Sequence, residues 1–307
     1  MHYLGINTGF AVNRFSEPEE WTRIVSEELG LRFVQLSADL VPMGLPSELL
    51  AKQVKKIDQA MSRYGIQAIG TFTGYFTRVN HLAHPDPDIR RYWVNWFKTF
   101  IDVSVDLGAE TMGSHFGIFT AKDNADPQVR QLRRRQNIDA WHELGDYAAQ
   151  RGLKYLCWEP MSISREQGET LKQTEQLQKD VNQNSALPFY LCLDVDHGDL
   201  SSSNPDDTNP HAWLKEFGSQ SPLIHIKQSR QNKGGHWPFT SEHNQDGKII
   251  PSQILEILEP IPSPFGRRFL LFELSFRERE PADSQVIPAT RESVDYWLKL
   301  PKSRLSA

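Results

Sequence analysis

Four side chains that can bind a divalent cation stand at or near the ends of four successive apolar segments in the second half of the sequence. They are Glu159 in Cys-Trp-Glu-Pro, Asp194 in Cys-Leu-Asp-Val, His225 in Leu-Ile-His-Ile and Glu273 in Leu-Phe-Glu-Leu. Three carboxylates and one imidazole form a hard, oxygen-rich ligand set. This set favours Mg²⁺, Mn²⁺ or Co²⁺, with Zn²⁺ as a further option. Burying such groups without a partner would be costly, so we predict that all four bind one metal ion.

The four residues can meet only if the segments that carry them are parallel strands whose carboxyl ends converge. Short apolar segments alternate with longer amphipathic segments along the whole chain, which is the pattern of βα units. We count eight such pairs, without a linker rich in proline, glycine or serine between them. The sequence therefore predicts one domain over residues 1–307, a closed (β/α)8 TIM barrel of the α/β class. An open doubly wound sheet is the alternative.

The predicted strands and helices follow one another in strict alternation. The predicted strands are Tyr3 to Asn7, Phe33 to Ser37, Ile66 to Thr71, Thr111 to His115, Lys154 to Glu159, Phe189 to Asp194, Leu223 to Lys227 and Phe269 to Glu273. The predicted helices are Pro18 to Leu29, Ser47 to Tyr64, Pro87 to Leu107, Pro127 to Arg151, Gly168 to Gln183, Pro210 to Gly218, Pro251 to Leu258 and Thr290 to Leu300. Glycines at 30, 65, 108 and 152 follow four of these helices, where a left-handed helix cap favours glycine.

Composition and charge exclude several classes of protein. The formal charge of -5, with basic residues dispersed among acidic ones, argues against a nucleic-acid partner. The amino terminus lacks a signal-peptide pattern, and no segment has the length of apolar residues that a membrane span needs. Only two cysteines are present, each inside an apolar segment, so we expect buried thiols and a cytoplasmic location. The segment from Gly5 to Gly9 lacks the third glycine of a dinucleotide-binding loop.

These motifs resemble the xylose-isomerase-like barrel of sugar and sugar-phosphate isomerases and epimerases, and the resemblance spans nearly the whole chain. That family carries a Glu, Asp, His, Glu metal set on strands five to eight, and its second element commonly reads Asp-x-x-His, as in 194–197 here. The resemblance makes Asp194 a ligand and His197 a substrate-binding group. Within the family, Trp-Glu-Pro-Met at 158–161 and His-Trp-Pro-Phe-Thr at 236–240 most resemble the tetrulose-phosphate epimerases and isomerases of erythritol breakdown.

The resemblance implies that Glu159 and Glu273 are the catalytic residues. In family epimerases one glutamate removes a proton from the substrate carbon and the other returns a proton on the opposite face, while the metal chelates a carbonyl and a neighbouring hydroxyl. A carbon acid beside a carbonyl suits this arrangement, because a divalent cation stabilises the enediolate directly. Partial burial can raise the pKa of a carboxylate enough to make it a competent base.

Further residues are predicted to contact a small sugar or sugar phosphate. His115 closes the fourth strand and can bond a substrate hydroxyl or orient a glutamate. Lys227 shares the inward parity of the metal histidine and can meet a phosphate or an enediolate oxygen. Trp158 borders a ligand and can pack against the apolar face of a sugar. Each of the three also has a simpler interpretation: His115 as a rim residue, Lys227 as a surface residue and Trp158 as a core residue.

The long segment after the seventh strand is predicted to form a lid with a phosphate clamp made by Arg230, Lys233 and His236. Charged loops are usually only solvated, and that reading stays open. The ketohexose 3-epimerases of the family have an arginine six residues after the metal histidine, whereas Arg230 lies five after His225. The position of an arginine that binds the sugar is therefore left undetermined by the motif.

Three other functions compete with an isomerase or epimerase. A metal-dependent lyase or dehydratase on a ketosugar, including one that deglycosylates its substrate, would use the same proton abstraction. A hydrolase related to AP endonucleases would need extra histidine ligands and a basic DNA-facing rim, which the charge argues against. A non-catalytic carbohydrate-binding barrel would bind no metal and would tolerate glutamate-to-glutamine changes. Barrels of this kind often pair, so a homo-oligomer is also left open.

Overall fold

Eight parallel strands form a closed barrel in a computed structural model that describes residues 1–230, 234–301 and 305–307. The barrel strands pair in chain order, and the last pairs with the first in register from His2–Arg268 to Ile6–Phe272. This closure confirms the predicted (β/α)8 barrel over the open sheet. The strands are β1 (His2–Asn7), β2 (Phe33–Ser37), β3 (Gln67–Phe72), β4 (Thr111–His115), β5 (Tyr155–Glu159), β6 (Phe189–Asp194), β7 (Leu223–Ile226), β8 (Gln228–Arg230), β9 (Gly234–Trp237), β10 (Arg268–Phe272) and β11 (Leu305–Ser306).

Helices cover the outside of the barrel between successive strands. They are α1 (Pro18–Arg23), α2 (Ser47–Tyr64), α3 (Pro87–Asp106), α4 (Ala121–Ala125), α5 (Pro127–Arg151), α6 (Leu171–Asn182), α7 (Pro210–Phe217), α8 (Pro251–Leu258) and α9 (Asp283–Leu298). The glycines at 30, 65, 108 and 152 all have positive φ, as the predicted helix caps require. Among the described residues, none of these helices combines the length and apolar character that crossing a membrane would need.

The last helix differs most from its prediction. It begins at Asp283 rather than at Thr290, and Pro288 lies in its interior. Proline lacks the N–H that an interior helical position normally donates, so its presence favours a later helix start. Val286 and Thr290 are nevertheless both fully buried. Packing against the barrel therefore outweighs the local effect of the proline and extends the helix.

Alternation along the barrel strands separates two layers of core. On β5, Tyr155 and Cys157 point into the barrel, where they pack with residues of the other strands, and Leu156 and Trp158 point outward to the helices. The inner layer also includes Ile69, Phe72, Cys192, Leu223, Phe269 and Leu271. Because Glu159 has the same parity as Cys157, it points inward, at the carboxyl end of this layer.

An antiparallel hairpin occupies part of the long segment predicted after the seventh strand. Strands β8 and β9 pair with Gln228 opposite Trp237 and Arg230 opposite Gly234. Gly235 has a φ of 151°, and a Cβ added there would lie 2.0 Å from the indole Nε1 of Trp237. Only glycine fits at this position, and the bend that it permits brings the next residue, His236, over the barrel mouth.

We predict that Gly113→Ala destabilises the barrel by about 1–3 kcal/mol, because it overfills a packed interior. A Cβ at Gly113 would lie 2.4 Å from the Cys157 sulfur and 2.5 Å from the Phe72 ring. Gly44→Ala is the matched control, since a Cβ there meets nothing within 4 Å. The midpoints of urea unfolding measure both effects. Equal midpoints for the two variants would contradict this account of the interior.

Candidate metal centre

The four predicted ligands converge at the carboxyl end of the barrel. Glu159 and Asp194 are the last residues of β5 and β6, His225 lies within β7, and Glu273 follows β10 directly. One candidate ligand atom from each lies within 4.8 Å of those of the other three. The first three side chains are almost completely buried, whereas the Glu273 side chain is 24% exposed. The geometric condition for a shared cation is therefore met.

The chemistry and charge of the donor set fit a divalent cation. Three carboxylates and an imidazole supply hard donors from neighbouring strands. Lys227 is fully buried beside them, and its Nζ lies 2.6 Å from Asp194 Oδ2. Three carboxylates face one ammonium, so the ligand set has an excess of negative charge that a protonated His225 offsets only in part. A divalent ion would offset this charge, which is otherwise costly to bury.

Histidines hold the two glutamates in their ionised forms. Burial raises the pKa of Glu159, but His225, His197 and a hydrogen bond from His115 lower it well below its usual range. Burial likewise raises the pKa of Glu273, and the nearby His225 and His236 lower it overall. The distances that carry these effects include 3.1 Å from His115 Nε2 to Glu159 Oε2 and 3.3 Å from His236 Nδ1 to Glu273 Oε2.

A polar side chain inside the barrel fixes the orientation of His225. Gln35 of β2 accepts a hydrogen bond on Oε1 from His225 Nε2 at 2.7 Å, and Asn7 Nδ2 donates to the same oxygen at 2.7 Å. This bond fixes the ring with Nε2 towards Gln35 and Nδ1 directed at the cluster, 3.1 Å from Glu159 Oε1. Burial lowers the pKa of His225, but Cys192, Glu273 and Glu159 raise it well above its usual value, so Nδ1 carries a proton that a bound cation would displace. Sequence reasoning missed Gln35, although a glutamine in the middle of Phe-Val-Gln-Leu-Ser was a visible signal.

The other predicted substrate-binding residues surround the cluster at the barrel mouth. His197 Nδ1 donates to the Pro160 carbonyl at 2.9 Å, which leaves Nε2 facing the Lys227 ammonium at 3.4 Å. Burial lowers the pKa of His197, in agreement with a neutral imidazole. His236 contacts the same ammonium at 3.1 Å from its Nε2. His115, His197, Lys227 and His236 therefore form one connected polar wall.

Two cavities open from this wall. One contains the catalytic candidates Glu159 and Glu273 and is walled by Tyr75. The second, of about 340 Å³, lies beside it, and four residues line both cavities. These four are Arg78, Met161, His197 and His236. Arg78 lies on the loop after β3 and has no motif around it that sequence reasoning could have used. A wider groove of about 960 Å³ contacts this region at His236.

Two predicted substrate contacts are not brought to the site. Trp158 is fully buried on the outer face of β5, where its Nε1 donates to Gln178 Oε1 at 2.7 Å. Strand alternation sends its side chain away from the cavity that Glu159 enters, so the sugar-packing role is wrong. Arg230 lines neither cavity, because its guanidinium pairs with Asp246 at 2.9 Å and lies over the Trp237 ring at 4.2 Å. Lys233 lies outside the described residues.

The fold and the site together define a closed (β/α)8 barrel with an acidic, metal-competent cluster at the carboxyl ends of its strands. A family model described as xylose isomerase-like TIM barrel matches residues 25–262. The chain belongs to this family, as the sequence motifs predict.

D-Erythrulose 1-phosphate 3-epimerase of Brucella abortus (strain 2308) is 42% identical over 295 residues, which cover 96% of this chain and 94% of the relative. This relative confirms the prediction of an enzyme of the sugar isomerase and epimerase class. A crystal structure of a candidate xylose isomerase from Rhodospirillum rubrum ATCC 11170 has a TM-score of 0.87 at 23% identity, over 97% of this chain and 99% of that one. D-Psicose 3-epimerase of Clostridium cellulolyticum H10 has a TM-score of 0.70 at 15% identity, over 99% of both chains.

We predict that Gln35→Leu weakens binding of Mn²⁺ by about 10- to 100-fold, because it removes the acceptor that fixes the His225 ring. Gln35→Glu retains an acceptor oxygen for His225 Nε2 and should bind metal more tightly than Gln35→Leu does. Titration calorimetry of the metal-free proteins measures the affinities, and circular dichroism checks that each variant is folded. Equal affinities of Gln35→Leu and the parent protein would contradict the assigned role.

Proposed function

We propose that this chain is a divalent-metal-dependent 3-epimerase of a small ketose phosphate, and that D-erythrulose 1-phosphate is the first substrate to test. The observation that carries the proposal is the placement of Glu159 and Glu273 in one small cavity, on strands separated by the two that carry Asp194 and His225. Two carboxylates at one substrate carbon are what inversion by proton exchange needs. The 42% identical epimerase supports the choice of substrate.

In each turnover one carboxylate accepts the proton of the substrate C–H, and the other carboxyl group delivers a proton to the opposite face. The base must start ionised, the form that the nearby histidines favour for both glutamates, and the acid must first take up a proton from solvent. The two roles are exchanged in the reverse reaction. Glu159 accepts a hydrogen bond from His115 and is 1% exposed. The more exposed Glu273 side chain can exchange its proton with solvent between turnovers. The pair thus combines one carboxylate that is shielded from water with one whose proton can be exchanged with water between turnovers.

The surrounding residues orient the substrate and balance its developing charge. The Lys227 ammonium lines the second cavity and supplies a donor for ketose oxygens, and the His197 and His236 rings contact it. A divalent ion held by Glu159, Asp194, His225 and Glu273 would polarise the substrate carbonyl and stabilise the enediolate charge. Mn²⁺, Mg²⁺ and Co²⁺ all suit this donor set.

The cellular setting is part of the same proposal. Cys157 and Cys192 are free, buried thiols on the inner face of the barrel, and burial raises the pKa of both. Thiols held in this protonated form are unreactive, and a pair of unlinked cysteines suits a reducing compartment. We therefore place the enzyme in the cytoplasm, where small phosphorylated sugars are metabolised.

We predict that Glu159→Gln and Glu273→Gln each lower epimerisation by about 100- to 10,000-fold, because each removes one of two proton-transfer groups. The reaction is followed by NMR in D2O, which reports both inversion at C3 and deuterium incorporation there. Product formed by the parent enzyme should carry deuterium at C3. Glu216→Gln, an exposed change on α7, is the control and should behave as the parent does. Near-normal inversion by both active-site variants would refute the two-base scheme.

We predict that removing divalent metal with EDTA abolishes epimerisation and that adding Mn²⁺ or Co²⁺ restores it. Asp194→Asn should lower the metal content of the purified protein, because it replaces a charged ligand with a neutral one. Plasma mass spectrometry measures the bound metal. A protein that binds no metal and tolerates both glutamate-to-glutamine changes would instead be a carbohydrate-binding barrel without catalytic activity.

A further inference from the structure

We propose that the cavity of about 340 Å³ beside the metal centre binds the phosphate group of the substrate, with Arg78 as its main ligand. The inference rests on the proposed function, since it concerns the phosphate of the ketose phosphate, and it adds a subsite that the sequence motifs did not indicate. It replaces the phosphate clamp predicted around Arg230. That arginine is paired with Asp246 and lines neither cavity.

The position of the cavity suits a group attached to the carbon chain of the sugar. Arg78, Met161, His197 and His236 line both this cavity and the one that contains Glu159 and Glu273. A short substrate can therefore present its reacting carbon to the two glutamates while its phosphate extends past His197. The second cavity has room for a phosphate group and its bound water.

The cavity carries more cationic than anionic side chains. Arg78, Lys227 and Lys248 line it, against the carboxylates of Glu166 and Asp196. Lys248 forms an ion pair with Asp196, which also accepts a hydrogen bond from the Ser229 hydroxyl, and Lys227 pairs with Asp194, so Arg78 is the cation with the most donors left for a ligand. The cavity is thus suited to a small dianion.

Arg78 keeps most of its hydrogen-bonding capacity available. Its one hydrogen bond to a side chain within the described chain runs from Nη2 to Glu166 Oε1 at 2.8 Å. A guanidinium has five N–H donors, so the remaining donors can form the paired contacts that phosphate oxygens accept. The side chain is 37% exposed, and that of Glu166 is 13% exposed. Glu166 therefore holds one edge of the guanidinium while the other edge stays accessible.

The loop that carries Arg78 is held in place by backbone capping. Asp39 accepts hydrogen bonds from the backbone N–H groups of Phe76 at 3.0 Å and Thr77 at 3.1 Å. The Arg78 N–H donates to the Gly74 carbonyl at 2.8 Å. A Cβ on Gly74 would lie 2.3 Å from Asp39 Oδ2, so the loop and its cap fit closely. An anchored loop presents the guanidinium without the full cost of ordering it on binding.

The test compares phosphorylated and unphosphorylated ketoses on Arg78→Met and the parent enzyme. With D-erythrulose 1-phosphate, Arg78→Met should raise KM by about 10- to 100-fold, the loss expected for hydrogen bonds to a charged group. With D-erythrulose, which has no phosphate for Arg78 to bind, the loss should be at least about tenfold smaller than with the phosphate ester. Arg78→Lys keeps the charge but not the paired donors and should fall between the two. Arg279→Met, which removes an exposed arginine from another loop, is the charge-matched control.

The possible outcomes distinguish failure of the phosphate subsite from failure of the proposed epimerase reaction. Equal losses on both ketoses, or no change on either, would overturn the subsite and leave the epimerase assignment standing. If the parent enzyme inverts neither ketose, calorimetry with glycerol 3-phosphate and with glycerol decides the subsite alone. Binding of the phosphate ester that Arg78→Met weakens and Arg279→Met does not would support it. Binding that is the same in all three proteins would overturn it.

Discussion

Burial of three carboxylates at one end of the barrel is the constraint on which the rest of the structure depends. Glu159 and Asp194 are almost without exposure, and Glu273 keeps only a quarter of its surface. Such charges are stable in a protein only where opposite charge and hydrogen bonds surround them. The buried Lys227 ammonium and the surrounding histidines balance part of this charge, and a bound cation would balance the rest.

The barrel and the convergence of the four candidate ligands could be predicted from sequence, because both follow from the alternation of strands and helices along the chain and from the position of each candidate ligand at a strand end. A strand with a period of two that ends in Glu159 must aim that side chain at the barrel axis, and three neighbouring strands obey the same rule. The extent of the last helix could not be predicted in this way. Its start at Asp283 depends on how Val286 packs on the barrel, and local sequence around Pro288 favours a different boundary.

The substrate contacts were predicted less accurately than the barrel, because they depend on the paths of loops and on which face of a strand each side chain occupies. Trp158 precedes the candidate ligand Glu159 in sequence, but side chains alternate along a strand, so Trp158 lies on the opposite face of β5. Arg230 follows the metal histidine at nearly the family spacing, but it is held by Asp246 and Trp237 in the hairpin. Arg78 lies far along the chain from the ligands and reaches the site only through the path of the loop after β3. No local sequence pattern predicts the path of that loop.

Gln35 shows how the interior of the barrel acts on the chemistry at its end. Its oxygen joins Asn7 of β1 to His225 of β7, so three strands share one hydrogen-bonded junction directly beneath the cluster. Because a closed barrel cannot slide one strand without moving its neighbours, this junction ties the orientation of a ligand to the register of the whole sheet. D-Psicose 3-epimerase shares the fold at 15% identity, so most of the sequence can change while the barrel is kept. The strands of this barrel are constrained by holding the cluster together, so the loops at its mouth, such as the one that carries Arg78, are the part of the fold with the most freedom to differ.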